Sequence, residues 1–561
     1  MNSSFYVINL EVNNFMFNTI EDNILKIYKH IRKQGWIAFL GAFLGGYFAH
    51  IFILTNELFN HDDILFLYEK QGDSIFSTRW LQSITTYLVS PIGSGVVAGG
   101  FTILILSISA LLLVDTLKID SEALSLMIGI LMSVSPIVAS FMSYVNGSYL
   151  FVVGIPFAVL TVRWFDKGIK GYVASAFALM LAIAGYQSNM AVTIAIMYAL
   201  FFSRLFEDNF DVKKWWISFG KAASVLILGL ILYIISNRVA VGLGGATNLC
   251  GPEGLSLGIT SDELSVHGYD AQAETGNLYI KEIPYTLRVA YDYFIKYHYN
   301  THFDGANISF ASKVNVFSNI IIALCSLVIG FNCLVRQKGI IRRVMVMCVA
   351  VCAPFCINSI QILLNGKCDE TLQMMYSMVM VTSLIVNVFD KDTLLEKKIK
   401  NLLMNIIFIA LVVHAYGNYQ IINDAYLRMN SEYEAAYGEM CRIVDRIEQL
   451  PEWQAGERTV YFDYNGKYGY LVNENYQAFR CVDDYIDMGW MGVFGTQVHN
   501  SWEMKNTSNF VKCYFGLEFD EPSAEQISAI ETTEQYRNME KFPSNDSIQV
   551  INDVIVVRMD G

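Results

Sequence analysis

The sequence predicts an α-helical polytopic membrane protein of about eleven spans that ends in a small α/β unit, and three observations carry the prediction. First, 54% of the 561 residues are hydrophobic, only 16% are charged, and the mean hydropathy is +0.37, beyond the apolar share of an ordinary soluble chain. Second, the apolar residues come in blocks near the ~20 residues that cross a hydrocarbon core. Third, Lys and Arg gather at alternate gaps between the blocks, which is how cytoplasmic loops are marked.

The blocks are 35–54, 96–117, 124–144, 147–163, 171–186, 189–203, 216–236, 313–335, 344–364, 371–389 and 401–418. Lys26, Lys29, Arg32 and Lys33 precede the first. Later clusters are Arg163, Lys167 and Lys170; Arg204, Lys213 and Lys214; Arg336, Lys338, Arg342 and Arg343; and Lys391, Lys397, Lys398 and Lys400. With these spans every cluster falls on one side, which predicts a cytoplasmic segment over 1–34, a membrane domain over 35–418 and an extracytoplasmic α/β domain over 419–561. Glu11, Glu21 and Asp22 interrupt the first segment, so a signal peptide is not expected there. The outward parts are then the loops 55–95 and 237–312 and the tail. They concentrate the net charge of −13, and nothing basic or aromatic is organised for nucleic acid.

The first outer loop carries Asn60-His61-Asp62-Asp63 and then Arg79-Trp80. A bare acidic pair beside hydrocarbon is costly, so it marks a functional position. From Thr78 to Ser90, the residues Trp80, Leu81, Ile84, Tyr87 and Leu88 recur at helical spacing, with Arg79, Gln82, Ser83 and Thr86 on the opposite face. Such a helix suits the membrane interface and holds Arg79 at headgroup depth near Asp62 and Asp63. There a guanidinium binds a lipid phosphate through two parallel hydrogen bonds; an ion pair that merely pins the loop is the other reading.

Polar residues in the spans cluster toward the outer side: Ser140, Ser143, Tyr144, Asn146, Ser148 and Tyr149; Tyr186-Gln187-Ser188-Asn189; Asn358, Ser359, Gln361 and Asn365; and Gln373, Tyr376 and Ser377. They are expected to face one another or an outward cavity, since unsatisfied amides are costly in lipid. Cys348, Cys352 and Cys356 share one helix face without a histidine, which reads as helix packing. The other cysteines, Cys250, Cys368, Cys441, Cys481 and Cys513 among them, make no zinc pattern and fix no disulfide.

The loop 237–312 opens on Gly242-Leu243-Gly244-Gly245 and runs into an amphipathic helix around 284–298 with Arg288, Lys296 and His298; it suits a lid over a lipid-linked substrate. The tail predicts a helix over 419–450, strands at 459–462, 509–514 and 547–551, and a hairpin across Asn552-Asp553 to 554–557. Its aromatics Tyr464, Tyr468, Tyr470, Tyr476 and Trp490 are placed either to stack on sugars or to pack a core.

The order of acidic pair, Arg-Trp, late Tyr-Gln turn and long later loop resembles the GtrII-type glucosyltransferases of the GT-C class, over roughly residues 35–420. The matching pieces are Asp62-Asp63, Arg79-Trp80 and Tyr186-Gln187. The resemblance implies transfer of a sugar, glucose by family, from a polyprenyl-phosphate donor to a cell-surface glycan such as O-antigen, teichoic acid or wall polysaccharide. It also implies a separate synthase and flippase that supply the donor. In that chemistry Asp62 or Asp63 takes the acceptor's proton and Arg79, assisted by Arg288, holds the donor phosphate. Tyr186 and Gln187 line the sugar site. A monophosphate leaving group requires no cofactor, although the acidic pair leaves a divalent metal open. A lipid-linked-glycan flippase and a non-catalytic envelope assembly protein are the two competing classes; neither requires a specific carboxylate.

Overall fold

A computed structural model describes residues 31–56, 58, 63, 79–89, 94–208, 210–243, 283–299, 312–336, 339–361, 372–393, 395–456, 458–463 and 500–559. Before the long loop come α1 (Lys33–Thr55), α2 (Trp80–Val89), α3 (Gly95–Leu117), α4 (Glu122–Ser133), α5 (Pro136–Met142), α6 (Ser148–Val152), α7 (Ile155–Trp164), α8 (Gly168–Gly185), α9 (Asn189–Arg204) and α10 (Val212–Leu243). After it come α11 (Ile283–Tyr299), α12 (Lys313–Arg336), α13 (Ile340–Val351), α14 (Ala353–Ile357), a 3-10 stretch over Leu372–Val379 that leads into α15 (Met380–Lys391), and α16 (Lys397–Glu448).

Among the described residues, seven helices are long and apolar enough to cross a membrane. They are α1, α3, α8, α10, α12, the continuous Leu372–Lys391 unit and α16. The other four expected blocks are interrupted or short. The block 124–144 bends by 43° between α4 and α5, 147–163 is divided into α6 and α7, 189–203 is the 16-residue α9, and 344–364 breaks at Cys352 between α13 and α14. Hydropathy runs smoothly across such breaks because they leave the composition unchanged. At this break Cys348 and Cys352 are exposed rather than packed.

The break at 133–136 shows how the bundle tolerates lost helical bonds. Pro136 cannot donate to the preceding turn, and an unpaired carbonyl in lipid costs several kcal/mol. Three carbonyls are capped from other elements: Tyr376 Oη donates to Met132 O at 2.7 Å, His50 Nε2 to Ser133 O at 2.9 Å and Asn418 Nδ2 to Val134 O at 2.9 Å. His50 Nδ1 in turn meets Tyr426 Oη at 2.7 Å. We expect Asn418→Leu, which orphans Val134 O and removes the acceptor of Asn315 Nδ2, to destabilise the protein by about 1–3 kcal/mol. Thermal unfolding in detergent reads this directly, and an unchanged midpoint would mean that the cap contributes nothing.

Close approach of backbones sets the packing where glycine allows it. A Cβ on Gly129 of α4 would lie 2.0 Å from Ala38 O of α1, and one on Gly154 ahead of α7 would lie 2.4 Å from Ala182 O of α8. The second contact brings the start of α7 against the end of α8. The expected basic clusters meet at one end of the bundle. Arg32 pairs with Asp120 and Arg163 with Asp115. Lys221 pairs with Asp166 at 2.8 Å, Lys391 Nζ donates to Lys118 O at 2.8 Å, and Arg342 Nε donates to Leu205 O at 2.8 Å.

Helix α16 spans 52 residues without a break, about 78 Å at 1.5 Å per residue and more than twice a ~30 Å hydrocarbon core. The boundary expected at 418/419 falls inside it. The tail continues with α17 (Pro451–Ala455), β1 (Val460–Asp463), α18 (Asn500–Phe515), α19 (Ala524–Glu531), α20 (Glu534–Asn538), β2 (Ile548–Ile551) and β3 (Val554–Arg558). The sheet has the order β1-β3-β2, with β1 parallel and β2 antiparallel to β3. Asn552 and Asp553, at φ 51° and 60°, make the left-handed two-residue turn of the expected hairpin.

The strand expected at 509–514 is instead helix α18. Over 507–515, where its burial is described, Thr507, Phe510 and Val511 are the buried positions, a spacing of three and four residues that fits a helix and not an alternating strand. Phe510 lies 4.6 Å from Tyr514 and 6.4 Å from Tyr433 of α16, ring centre to ring centre, so α18 packs on the long helix. Phe510→Ala is expected to cost about 3–5 kcal/mol, seen as faster proteolysis of the tail while α1–α15 stay protected; equal protection of the tail would reject this docking. The aromatics Tyr464, Tyr468, Tyr470, Tyr476 and Trp490, together with Cys250, Cys368, Cys481 and Asn365, lie outside the described residues, as do 1–30 and most of the loop 237–312.

Candidate active site

Two short turns at the bundle end opposite the basic clusters hold four of the predicted residues, Asp63, Arg79, Tyr186 and Gln187. The first joins α5 to α6 and contains Asn146-Gly147, a turn-forming pair. Its backbone N–H groups converge on one carboxylate: Val145 N donates to Asp63 Oδ2 at 2.7 Å and Asn146 N to Asp63 Oδ1 at 3.1 Å. Asp63 is 0% exposed. A buried carboxylate is tolerated only when hydrogen-bonded, and two convergent amides form an anion-binding nest. Asp63 thus clamps the first loop to this turn. Asp62 lies outside the described residues.

The second turn, Tyr186–Ser188, joins α8 to α9. Arg79, just ahead of α2, donates from Nε to Gln187 Oε1 at 3.1 Å, and its guanidinium sits 4.6 Å from the Tyr186 ring centre. Among the described residues both Nη groups are unengaged. Arg79, Tyr186 and Gln187, singled out separately in the sequence, are therefore one cluster.

Helix α2 holds Arg79 in place. Gln82 Nε2 donates to Leu150 O at 3.1 Å and Gly185 O at 2.7 Å, and Trp80 Nε1 to Ser236 Oγ at 3.2 Å. The two faces expected from the sequence are present, but the polar one turns inward. Gln82, Ser83 and Thr86 are buried while Ile84 is half exposed. Carbonyls left free at the ends of α6 and α8 are what this face satisfies.

An aromatic stack joins the two turns. Phe151 lies 4.9 Å from Tyr144 beside the Asp63 clamp and 5.3 Å from Tyr186 beneath Arg79. Neither Phe151 nor the amides of Val145 and Asn146 stand out in the sequence; the Asn-Gly pair was the one available signal. Arg288 is exposed on α11, which packs on α12 and α14, whereas α2 packs on α6 and α8; the two arginines are carried by different parts of the bundle. The described polar residues expected to line a cavity are buried, apart from the half-buried Tyr144 and Gln187, and several are spent on helix contacts: Asn189 Nδ2 donates to Ala182 O at 3.2 Å and Asn358 Nδ2 to Ala290 O at 3.4 Å. Asn358 Oδ1, Ser359 Oγ and Ser377 Oγ have no hydrogen-bond partner among the described residues. Among those residues no three His, Cys, Asp or Glu side chains gather around a point that fits a metal ion.

The family model described as Glucosyl transferase GtrII matches residues 51–388, well over half of the chain. The chain belongs to the GtrII glucosyltransferase family. Comparison with curated proteins and with solved structures finds no match. Membership makes the protein a glycosyltransferase and sets aside the flippase and assembly readings. The matched span of this GtrII protein holds Asp62, Asp63, Arg79, Tyr186, Gln187 and Arg288, and it stops before α16 and the tail. Chemically, the cluster offers a planar cation whose two Nη groups are unengaged among the described residues and, beside the same aromatic stack, a buried carboxylate held by two backbone amides. A guanidinium fixed in this way suits a planar or tetrahedral oxyanion.

Proposed function

We propose that this GtrII protein transfers glucose from a polyprenyl-phosphate donor to a surface glycan on the outer face of the cell membrane. The observation that carries the reading is Arg79, held by Gln187 and Tyr186 with both Nη groups unengaged among the described residues, a geometry that fits two oxygens of a monophosphate. The acceptor hydroxyl oxygen attacks the anomeric carbon as its bond to the phosphate oxygen breaks. The proton passes to Asp62, and polyprenyl phosphate departs with the bonding electrons, its growing charge met by Arg79. Asp63, with both oxygens bonded to amides, positions Asp62; Arg288, on another part of the bundle, takes no part in this step.

The basic end of the bundle is the cytoplasmic side under the positive-inside rule, so the cluster and the tail face outward. A synthase and a flippase supply the lipid-linked sugar from within. A monophosphate leaving group lets the reaction run without a metal. Proteoliposomes given polyprenyl-phosphate glucose and the glycan of a deletion strain test this: glucose transfer is expected, and the deletion glycan should lack one hexose. No transfer together with an unchanged glycan rejects the reading.

A further inference from the structure

A ladder of aromatic rings runs behind the two turns that hold Asp63 and Arg79. Tyr376, which caps the break at 133–136, lies 5.8 Å from Phe141, and Phe141 stacks on Phe151 at 5.3 Å with 8° between the planes. Phe151 then meets Tyr144 at 4.9 Å and Tyr186 at 5.3 Å, ring centre to ring centre. Tyr376 and Phe141 are buried and give Phe151 a fixed backing. Over 140–151 and 182–189 every residue is buried except Tyr144, Phe151 and Gln187, which are half-buried, as Arg79 is. What these two turns leave open is therefore a guanidinium, an amide and two aromatic rings.

We infer that Tyr144 and Phe151 form the platform on which the transferred sugar ring lies. The inference rests on the donor, and on the roles of Arg79 and Asp62, proposed above. In that displacement the anomeric carbon lies between the leaving phosphate oxygen and the attacking hydroxyl oxygen. The phosphate is assigned to Arg79 at the 186–188 turn, and the base to the loop that Asp63 clamps to the 143–147 turn. The sugar then has to bridge the two turns. Phe151 makes the same bridge, with Tyr144 on one side and Tyr186 on the other. Tyr186 is only 5% exposed and lies under the guanidinium, so Tyr144 and Phe151 are the rings within reach of a sugar. A pyranose suits them, because its hydroxyls crowd the rim and leave C–H faces, whose partial positive charge the negative face of an aromatic ring attracts. Both rings thus contact the sugar and neither contacts the phosphate, which separates their role from that of Arg79.

Tyr144→Leu keeps an apolar side chain and removes the ring. The test is binding to the purified full-length protein, without acceptor, of polyprenyl-phosphate glucose and of bare polyprenyl phosphate of equal chain length. In Tyr144→Leu the Kd of the glucose-bearing lipid is expected to rise about five- to tenfold, while that of the bare lipid phosphate stays within about twofold. Phe151→Leu should act in the same direction, and Arg79→Ala should weaken both lipids. Tyr144→Phe keeps the aromatic face and should retain more of the glucose-dependent difference than Tyr144→Leu. A purely structural role would weaken the two lipids alike, and a ring that only lines the membrane interface would weaken neither. Either result overturns the platform while glucosyl transfer by the wild type stands. Should Tyr144→Leu fail to fold, saturation transfer from aromatic protons of the wild type to the ring C–H protons of bound glucose decides the matter, and its absence overturns the platform. A wild type that moves no glucose from this donor rejects the proposed function instead, and the platform loses its ligand with it.

Discussion

Asp62→Asn is expected to abolish glucosyl transfer at an unchanged melting temperature, whereas Asp63→Asn should lose both activity and stability. The difference comes from the buried contacts of Asp63 and from the basicity assigned to Asp62. Both oxygens of Asp63 accept backbone N–H bonds, at 2.7 and 3.1 Å, in a fully buried position. An asparagine there presents an NH2 group to one of those amides, donor against donor. One buried N–H is then unsatisfied, which costs about 1–3 kcal/mol, and the first loop is released from the 143–147 turn. Activity falls because the neighbouring base is no longer held in place. Asp62, if it removes the acceptor's proton, contributes about 10²–10⁴ in rate, and its amide replacement keeps the shape while removing the basicity. Paired measurements of detergent melting and transfer rate separate the roles. Full transfer in Asp62→Asn would remove the base assignment, and a wild-type midpoint in Asp63→Asn would show that the clamp is dispensable.

Why some of this was legible in the sequence and some was not follows from where the information lies. Arg79, Tyr186 and Gln187 are polar groups at the ends of apolar blocks, and polarity at such a boundary is a local property that the chain displays openly. The hairpin at Asn552-Asp553 is equally local, since two residues that tolerate positive φ sit between two β-branched runs. The partner of Asp63 is different, because it is backbone amide, which every residue but proline carries and which no residue identity advertises. His50 lay unremarked in the first apolar block because its meaning depends on Tyr426, 376 residues away. The interrupted spans were missed for the same reason: Tyr376, His50 and Asn418 make the break at 133–136 tolerable only once the bundle has formed. For α18 the local signal pointed the wrong way. Phe510, Val511 and Tyr514 favour strand by type, and the contacts of Phe510 and Tyr514 with Tyr433 on α16 override that preference.

Arg79→Lys should be nearly as damaging as Arg79→Ala, with kcat/KM for the donor falling by about 10²–10³, the usual loss when one preorganised donor to a developing oxyanion is removed. Charge alone is not what the site selects. The Nε–H bond to Gln187 and the stacking on Tyr186 both require a planar guanidinium, and they fix the direction in which the two Nη groups point. A lysine carries the charge on a flexible stem, with neither the plane nor the fork. Gln187→Leu removes the Nε partner and leaves the charge, so an intermediate loss of about tenfold is expected, the equivalent of one hydrogen bond to a charged group. Tyr186→Leu removes the stacking surface, worth about 0.5–2 kcal/mol. In all three positions the acceptor KM should move by less than about twofold, since none of these groups is assigned to the acceptor. Equal losses toward donor and acceptor would reject the phosphate role. Near-normal activity in Arg79→Lys would mean that a point charge suffices, and that the bond to Gln187 only steadies the loop.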